Sequence, residues 1–250
     1  MPPRPVCMKG KTMNRIRMFA AAVILCGLCT GLTVVGQEKK VPNVQDPPKD
    51  LKINAKTKAL QDLALAAKLI TFGREHKSAE SLLLAAKIIH TTPTDKLKAD
   101  KSEVTGDAVK GNAAKQKDSS PKALIAEAKA MSSDPHIAAL VAATAKIVDE
   151  EPRGVVGGPR RLVQNVGPGQ VWTVSGLTFA GGQLAVVDVQ LLIAGRFILT
   201  VHDQYGNQVA RDAVPGTYYN CRWVPISTGP VTVRLTNIDT IAFTCDLLTN

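Results

Sequence analysis

The apolar residues of this chain change their period partway along it, and that change fixes the fold class before any motif is considered. Between about Asn54 and Glu150 they recur at steps of three and four residues, the spacing of a single helix face. From Val171 onward they move towards alternation, in short runs ended by glycine or proline turns. Composition shifts at the same place: residues 151–250 contain arginine but no lysine, and Ala/Leu/Lys gives way to Val/Thr/Gly. The expectation is an α+β chain, with short helical hairpins first and an antiparallel β-sandwich after them.

Within the helical half, Leu60, Leu63, Ala67 and Ile70 share one face of a first helix, which the pattern ends at Phe72-Gly73. Ser78 is placed to cap a second helix carrying Leu82, Ala85, Ala86 and Ile89. Ser120-Pro121 and Asp134-Pro135 are cap-then-proline starts, where the missing N–H costs nothing. Leu124, Ile125, Ala128 and Met131 follow the first of them. Ile137, Leu140, Val141, Thr144, Ile147 and Val148 follow the second. The reading is two αα-hairpins spanning 54–150. Residues 91–119 between the hairpins are rich in Lys, Asp, Gly and Ser, bury little, and are expected to be a disordered insert.

The β half offers seven candidate strands: Val171 to Val174, Leu184 to Leu192, Phe197 to Val201, Gln208 to Arg211, Tyr218 to Val224, Val231 to Leu235 and Ile241 to Leu247. Turn signals such as Gly181-Gly182, Tyr205-Gly206-Asn207 and Gly229-Pro230 separate them, which argues a sandwich over 170–250. Residues 151–169, with glycines at 154, 157 and 158, read as a linker.

Several of these pieces carry a family resemblance. They are Phe179-Ala180-Gly181-Gly182-Gln183, Phe197 to Asp203 with Gly206-Asn207, Cys221-Arg222-Trp223-Val224-Pro225, and Thr228-Gly229-Pro230-Val231-Thr232-Val233. Over about its last 80 residues the chain resembles the bacterial pre-peptidase C-terminal domain family and related secreted proteins. The resemblance implies a small jelly-roll-like sandwich that accompanies exported proteins and is not itself catalytic.

The N-terminus points to export as well. Residues 1–36 hold five cations and no acid, followed by an apolar core from Phe19 to Val35 and a small residue, Gly36. A signal peptide over 1–36 is expected, with mature protein beginning at Gln37. Residues 37–53, with Pro42, Pro47 and Pro48, then form a flexible tether stiffened locally by proline. The expected location is secreted, periplasmic or at the cell envelope, with no stable membrane span after cleavage. Cys7, Cys26 and Cys29 leave with the leader, so Cys221 and Cys245 are expected to pair as a disulfide in an oxidising compartment.

Half of the formal +10 charge also lies in the leader, and the few aromatics supply no base-stacking platform, which argues against nucleic acid as partner. Asp188, Asp203, Asn207 and Asp212 are hard oxygen ligands near one turn and form a candidate calcium set. The competing reading is that they are ordinary hairpin residues. Ser175, His202 and Asp188 formally supply a hydrolytic triad, but no nucleophile-elbow sequence surrounds Ser175. His76, His90 and His136 fall at helix ends with no metal-site spacing, and no cofactor is expected. The expected function is a non-enzymatic exported interaction module for an unidentified macromolecule, a protein or an envelope polymer. The alternative is a secreted hydrolase, or a calcium-dependent binding protein acting through the β domain.

Overall fold

A computed structural model describes residues 40–51, 53–107, 117–150 and 158–250. The expected signal peptide and its three cysteines lie outside the described residues. Helix α1 runs over Ala55–His76, with the Asn54 side chain accepting from the Thr57 N–H. Helix α2, Ala79–Thr91, is capped in the same way by Ser78. Strands β1 (Asp95–Lys96) and β2 (Lys101–Thr105) follow. Helices α3 (Pro121–Met131) and α4 (Pro135–Asp149) then begin at Ser120 and Asp134, each with proline in its first turn.

The remaining strands are β3 (Arg160–Val166), β4 (Val171–Phe179), β5 (Ala185–Gly195), β6 (Phe197–His202), β7 (Gln208–Asp212), β8 (Gly216–Trp223), β9 (Gly229–Asn237) and β10 (Phe243–Thr249). They form two five-stranded sheets. Sheet I has the order β1-β3-β10-β5-β8 and sheet II the order β2-β4-β9-β6-β7. All ladders are antiparallel except β1 with β3. The four helices and two sheets among the described residues make the chain α+β.

Alternation along the strands decides what each face meets. Val187, Val189, Tyr219, Cys221, Cys245 and Leu247 of sheet I share one core with Trp172, Val174, Leu199, Val201, Val233 and Leu235 of sheet II. Edge-on ring contacts of Phe197 with Tyr219 and Phe243 join the sheets. The buried Tyr219 hydroxyl is fully used, donating to the Gly195 carbonyl at 2.6 Å and accepting from the Phe197 N–H.

The helices bury a second core of their own around Leu82, Ala85, Ala86, Leu124 and Ala128. A third small cluster of Leu60, Leu63, Val186 and Leu248 welds α1 to the outer face of sheet I. Asn250 reinforces it, its amide donating to the Thr57 hydroxyl and to the Leu184 carbonyl.

Four sequence expectations are corrected here. Helix α1 continues through Phe72-Gly73 and ends at Lys77, in the left-handed conformation at φ 53°. Gly73 is present for close approach instead: a Cβ there would stand 2.8 Å from Leu82 of α2. The described part of the 91–119 insert is ordered. Its β1 and β2 cap one edge of each sheet, and Leu97 is only 3 % exposed in the sandwich core. Edge strands are held through backbone hydrogen bonds, so a polar composition with one anchoring leucine suffices. Residues 108–116 of that insert lie outside the described residues.

The expected linker 151–169 contains β3, an inner strand of sheet I, while residues 151–157 are outside the described set. Lys40–Asn250 cluster as one compact unit. Finally, the tether is a strap. Asn43, 6 % exposed, donates its N–H to Asp203 and its side-chain amide to the Ser227 carbonyl, and its carbonyl oxygen accepts from the Ser227 N–H. Gln45 bridges to Val224. An asparagine offers a donor and an acceptor at one tip, which matches two unpaired loop groups.

Candidate functional site

The two cysteines do not meet. Cys221 lies on β8 opposite Val187 and Cys245 on β10 opposite Leu191, so all of β5 stands between them. Two strand spacings alone amount to roughly 9–10 Å, beyond the 7 Å limit for a bridge. Both are buried free thiols. Burial pushes the Cys221 thiol up to about 12 and raises that of Cys245 as well, which leaves both unreactive. The expected disulfide is corrected accordingly.

The calcium set is also dispersed. Asp203 sits at the turn after β6, and its carboxylate is already occupied by the N–H groups of Asn43, Tyr205 and Asn207 and the Asn207 side chain. Burial works to raise its pKa, and those bonds outweigh it and hold the group below the usual carboxylate range. Gly206, at φ 85°, lets the turn close around it. Asp212 accepts from the Val214 and Asn220 N–H groups. Asp188 lies on the outer face of sheet I, bonded to the Asn220 amide. Among the described residues no cluster of three or more His, Cys, Asp or Glu has metal-holding geometry.

The formal triad is divided in the same way. Ser175 and His202 both register with Thr232, one strand to either side of it in sheet II, while Asp188 belongs to the other sheet.

What the fold does build is a cleft of about 700 Å³ between the helical layer and the outer face of sheet I. On one side stand Leu63, Ile70 and Ile89, with His90 from the last turn of α2. A second wall is the segment Lys117 to Pro121, held in place by Arg74. The Arg74 guanidinium donates to the Asp118 carbonyl at 2.9 Å and pairs with Glu127, which also binds Lys117 at 3.1 Å. The floor comes from β3, β10 and β5: Arg161, Val163, Asp246, Leu248, Thr244 and Gln190.

Register sets the floor's chemistry. Val163, Asp246 and Gln190 fall in one row across three strands, with Arg161 and Leu248 in the next. Arg161 Nε donates to both Asp246 oxygens at 2.8 Å. Burial still lifts the Asp246 carboxyl above its ordinary value, more than Arg161 lowers it. Gln190 Nε2 is buried with no hydrogen-bond partner among the described residues. Val163 is 46 % exposed, although its strand is covered on its other face by the core. The cleft therefore combines apolar residues of α1 and α2 with a floor that carries Val163 and Leu248, a balanced ion pair and one unengaged amide donor.

Sequence reasoning found the histidines at helix ends but missed the cleft, and a signal for it was present. In Val187-Asp188-Val189-Gln190-Leu191 and Cys245-Asp246-Leu247 a polar residue interrupts an otherwise apolar strand. Such a strand is covered on both faces and still carries polar work on one of them.

No protein-family model matches the chain, and no curated protein matches it. Among solved structures it is similar to a de novo designed double-stranded beta-helix, at 19% identity and TM-score 0.25, over 36% of this chain and 99% of that one. It is also similar to the CBM22-1-GH10 modules of Clostridium thermocellum endo-1,4-beta-D-xylanase 10B, at 16% identity and TM-score 0.23, over 36% of this chain and 24% of that one. A third is CapF, at 10% identity and TM-score 0.20, over 47% of this chain and 36% of that one. Likeness at this level carries neither fold nor function across.

Proposed function

We propose that this chain is a non-enzymatic, exported binding module whose cleft between the helical layer and sheet I takes an amphipathic ligand or the amphipathic tip of a larger partner. The observation that carries the reading is the cleft itself. Its volume falls in the range of about 300–1,000 Å³ typical of small-molecule sites, and its floor pairs exposed Val163 with the unengaged Gln190 donor. A buried donor needs an acceptor from whatever fills the site.

The scaffold is read as a jelly roll. Strand order supports this, because β3 with β10, β4 with β9, β5 with β8 and β6 with β7 are nested antiparallel pairs, alternating between the two sheets. The resemblance to the pre-peptidase C-terminal family favours the same non-catalytic role, and the charged and apolar leader supports export.

Titration with anilinonaphthalene sulfonate, an apolar anion, tests the cleft. Saturable one-to-one binding is expected, with at least tenfold weakening in Val163→Arg at an unchanged melting temperature. Binding unaffected by that substitution would remove the cleft from the argument. Turnover of ester or glycoside substrates that disappears in His202→Ala would replace the reading with a hydrolase.

A further inference from the structure

We propose that the outer face of sheet II docks an anionic polysaccharide, at a surface separate from the cleft. Among the described residues α1 packs on β5, β8 and β10 of sheet I. Because Val174, Leu199 and Val233 point into the core, their chain neighbours Thr173, Thr200, Thr232 and Arg234 stand on the opposite face. Register places Thr173, Arg234, Thr200 and Arg211 in one row across β4, β9, β6 and β7. Arg234 and Arg211 are exposed, and neither has an ion pair or hydrogen bond among the described residues.

Three carboxylates of this sheet and its turns are already occupied, and the exposed Asp100 stands before β2, at the opposite edge of the sheet from β7. Glu103 pairs with Lys101 at 2.7 Å, while Asp203 and Asp212 are held by backbone N–H groups. Two uncompensated guanidinium groups therefore lie two strands apart, roughly 9–10 Å, with a threonine hydroxyl between them. Guanidinium groups bind carboxylate or sulfate in a planar, two-point manner. The Thr173, Thr200 and Thr232 hydroxyls make no side-chain hydrogen bond within the described chain, so they are open to sugar hydroxyls.

The alternatives fit this face less well. The aromatic residues of these strands, Trp172, Phe179 and Phe197, all point into the core, and the exposed Tyr205 ring at the β6–β7 turn is engaged by Lys40, so this row presents no ring for a base to stack on. A protein interface would show an apolar or aromatic centre, whereas the centre here is threonine and arginine.

The probe is polygalacturonate, a uronate polymer, titrated against the protein at low salt, with neutral dextran and single-stranded oligothymidylate as comparators. Binding of polygalacturonate alone is expected, weakening as salt rises. The Arg211→Ala/Arg234→Ala pair should lose at least tenfold in affinity without loss of melting temperature. A matched pair removing two exposed helix charges, Lys129→Ala/Lys146→Ala, should bind as the parent does. Three outcomes would overturn the proposal: no binding at low salt, equal binding of oligothymidylate, or equal losses in the two double variants.

Discussion

At the scale of single residues, Asp188 is a buried carboxyl with one oxygen unpartnered among the described residues. It is 1 % exposed, its Oδ1 is bonded to the Asn220 amide, and its Oδ2 is the unpartnered oxygen. Burial raises its pKa to about 6, against the lowering influence of Asn220, Tyr218 and Arg222. In the unfolded chain the group titrates near its ordinary value of about 3.9. The folded state therefore holds this proton more tightly. The associated stability is fully present below about pH 4 and is lost as pH rises through 6, a change of about 3 kcal/mol. Urea denaturation between pH 4 and pH 8 should show that decline in the parent. Asp188→Asn should flatten it by about the same amount, and parallel curves for the two proteins would contradict the assignment.

At the scale of elements, the strap at Asn43 has the clearest energetic signature. Its side chain exchanges two hydrogen bonds with Ser227 while its N–H occupies Asp203, so it clasps the β6–β7 turn to the β8–β9 turn. Asn43→Ala leaves the Ser227 N–H without its Asn43 acceptor and should cost about 1–3 kcal/mol. Faster hydrogen exchange at Ser227 should accompany it, with the helices unchanged.

The strap also shows what the sequence could convey. Caps at Ser78, Ser120 and Asp134 and the alternation of β4 to β10 come from side-chain patterns, and those elements were legible. The strap, β1, β2 and β3 are held by backbone pairing or by one polar side chain. Pro-rich, Lys-rich and Gly-flanked segments of that kind read as tether, insert and linker. The cleft was legible only in part: Gln190 and Asp246 mark a polar sheet face in otherwise apolar strands, but no local pattern records that α1 and the 117–121 segment stand over it.

At the scale of the whole molecule, the Leu60, Leu63, Val186 and Leu248 cluster joins the helical layer and the sandwich in one unit. Calorimetry of protein beginning at Gln37 should give a single unfolding transition with equal calorimetric and van't Hoff enthalpies. Leu248→Ala should lower its midpoint, at a cost of about 2–5 kcal/mol, and far-ultraviolet helix and near-ultraviolet aromatic signals should melt together. Two resolved transitions would restore a separable helical domain.

The position of β10 bears on how such a molecule is made. It follows every other described strand in the chain, yet it lies between β3 and β5 in the interior of sheet I, bonded on both sides. Until residues 243–249 have emerged from the ribosome, β3 and β5 have no common neighbour and the apolar faces of both sheets stay open. Closure waits for pairings between strands about 80 residues apart in the chain, a slow class of contact. Sheet I is thus the last part of the fold whose strands are all present, whereas the helical core has all its residues about 100 positions earlier.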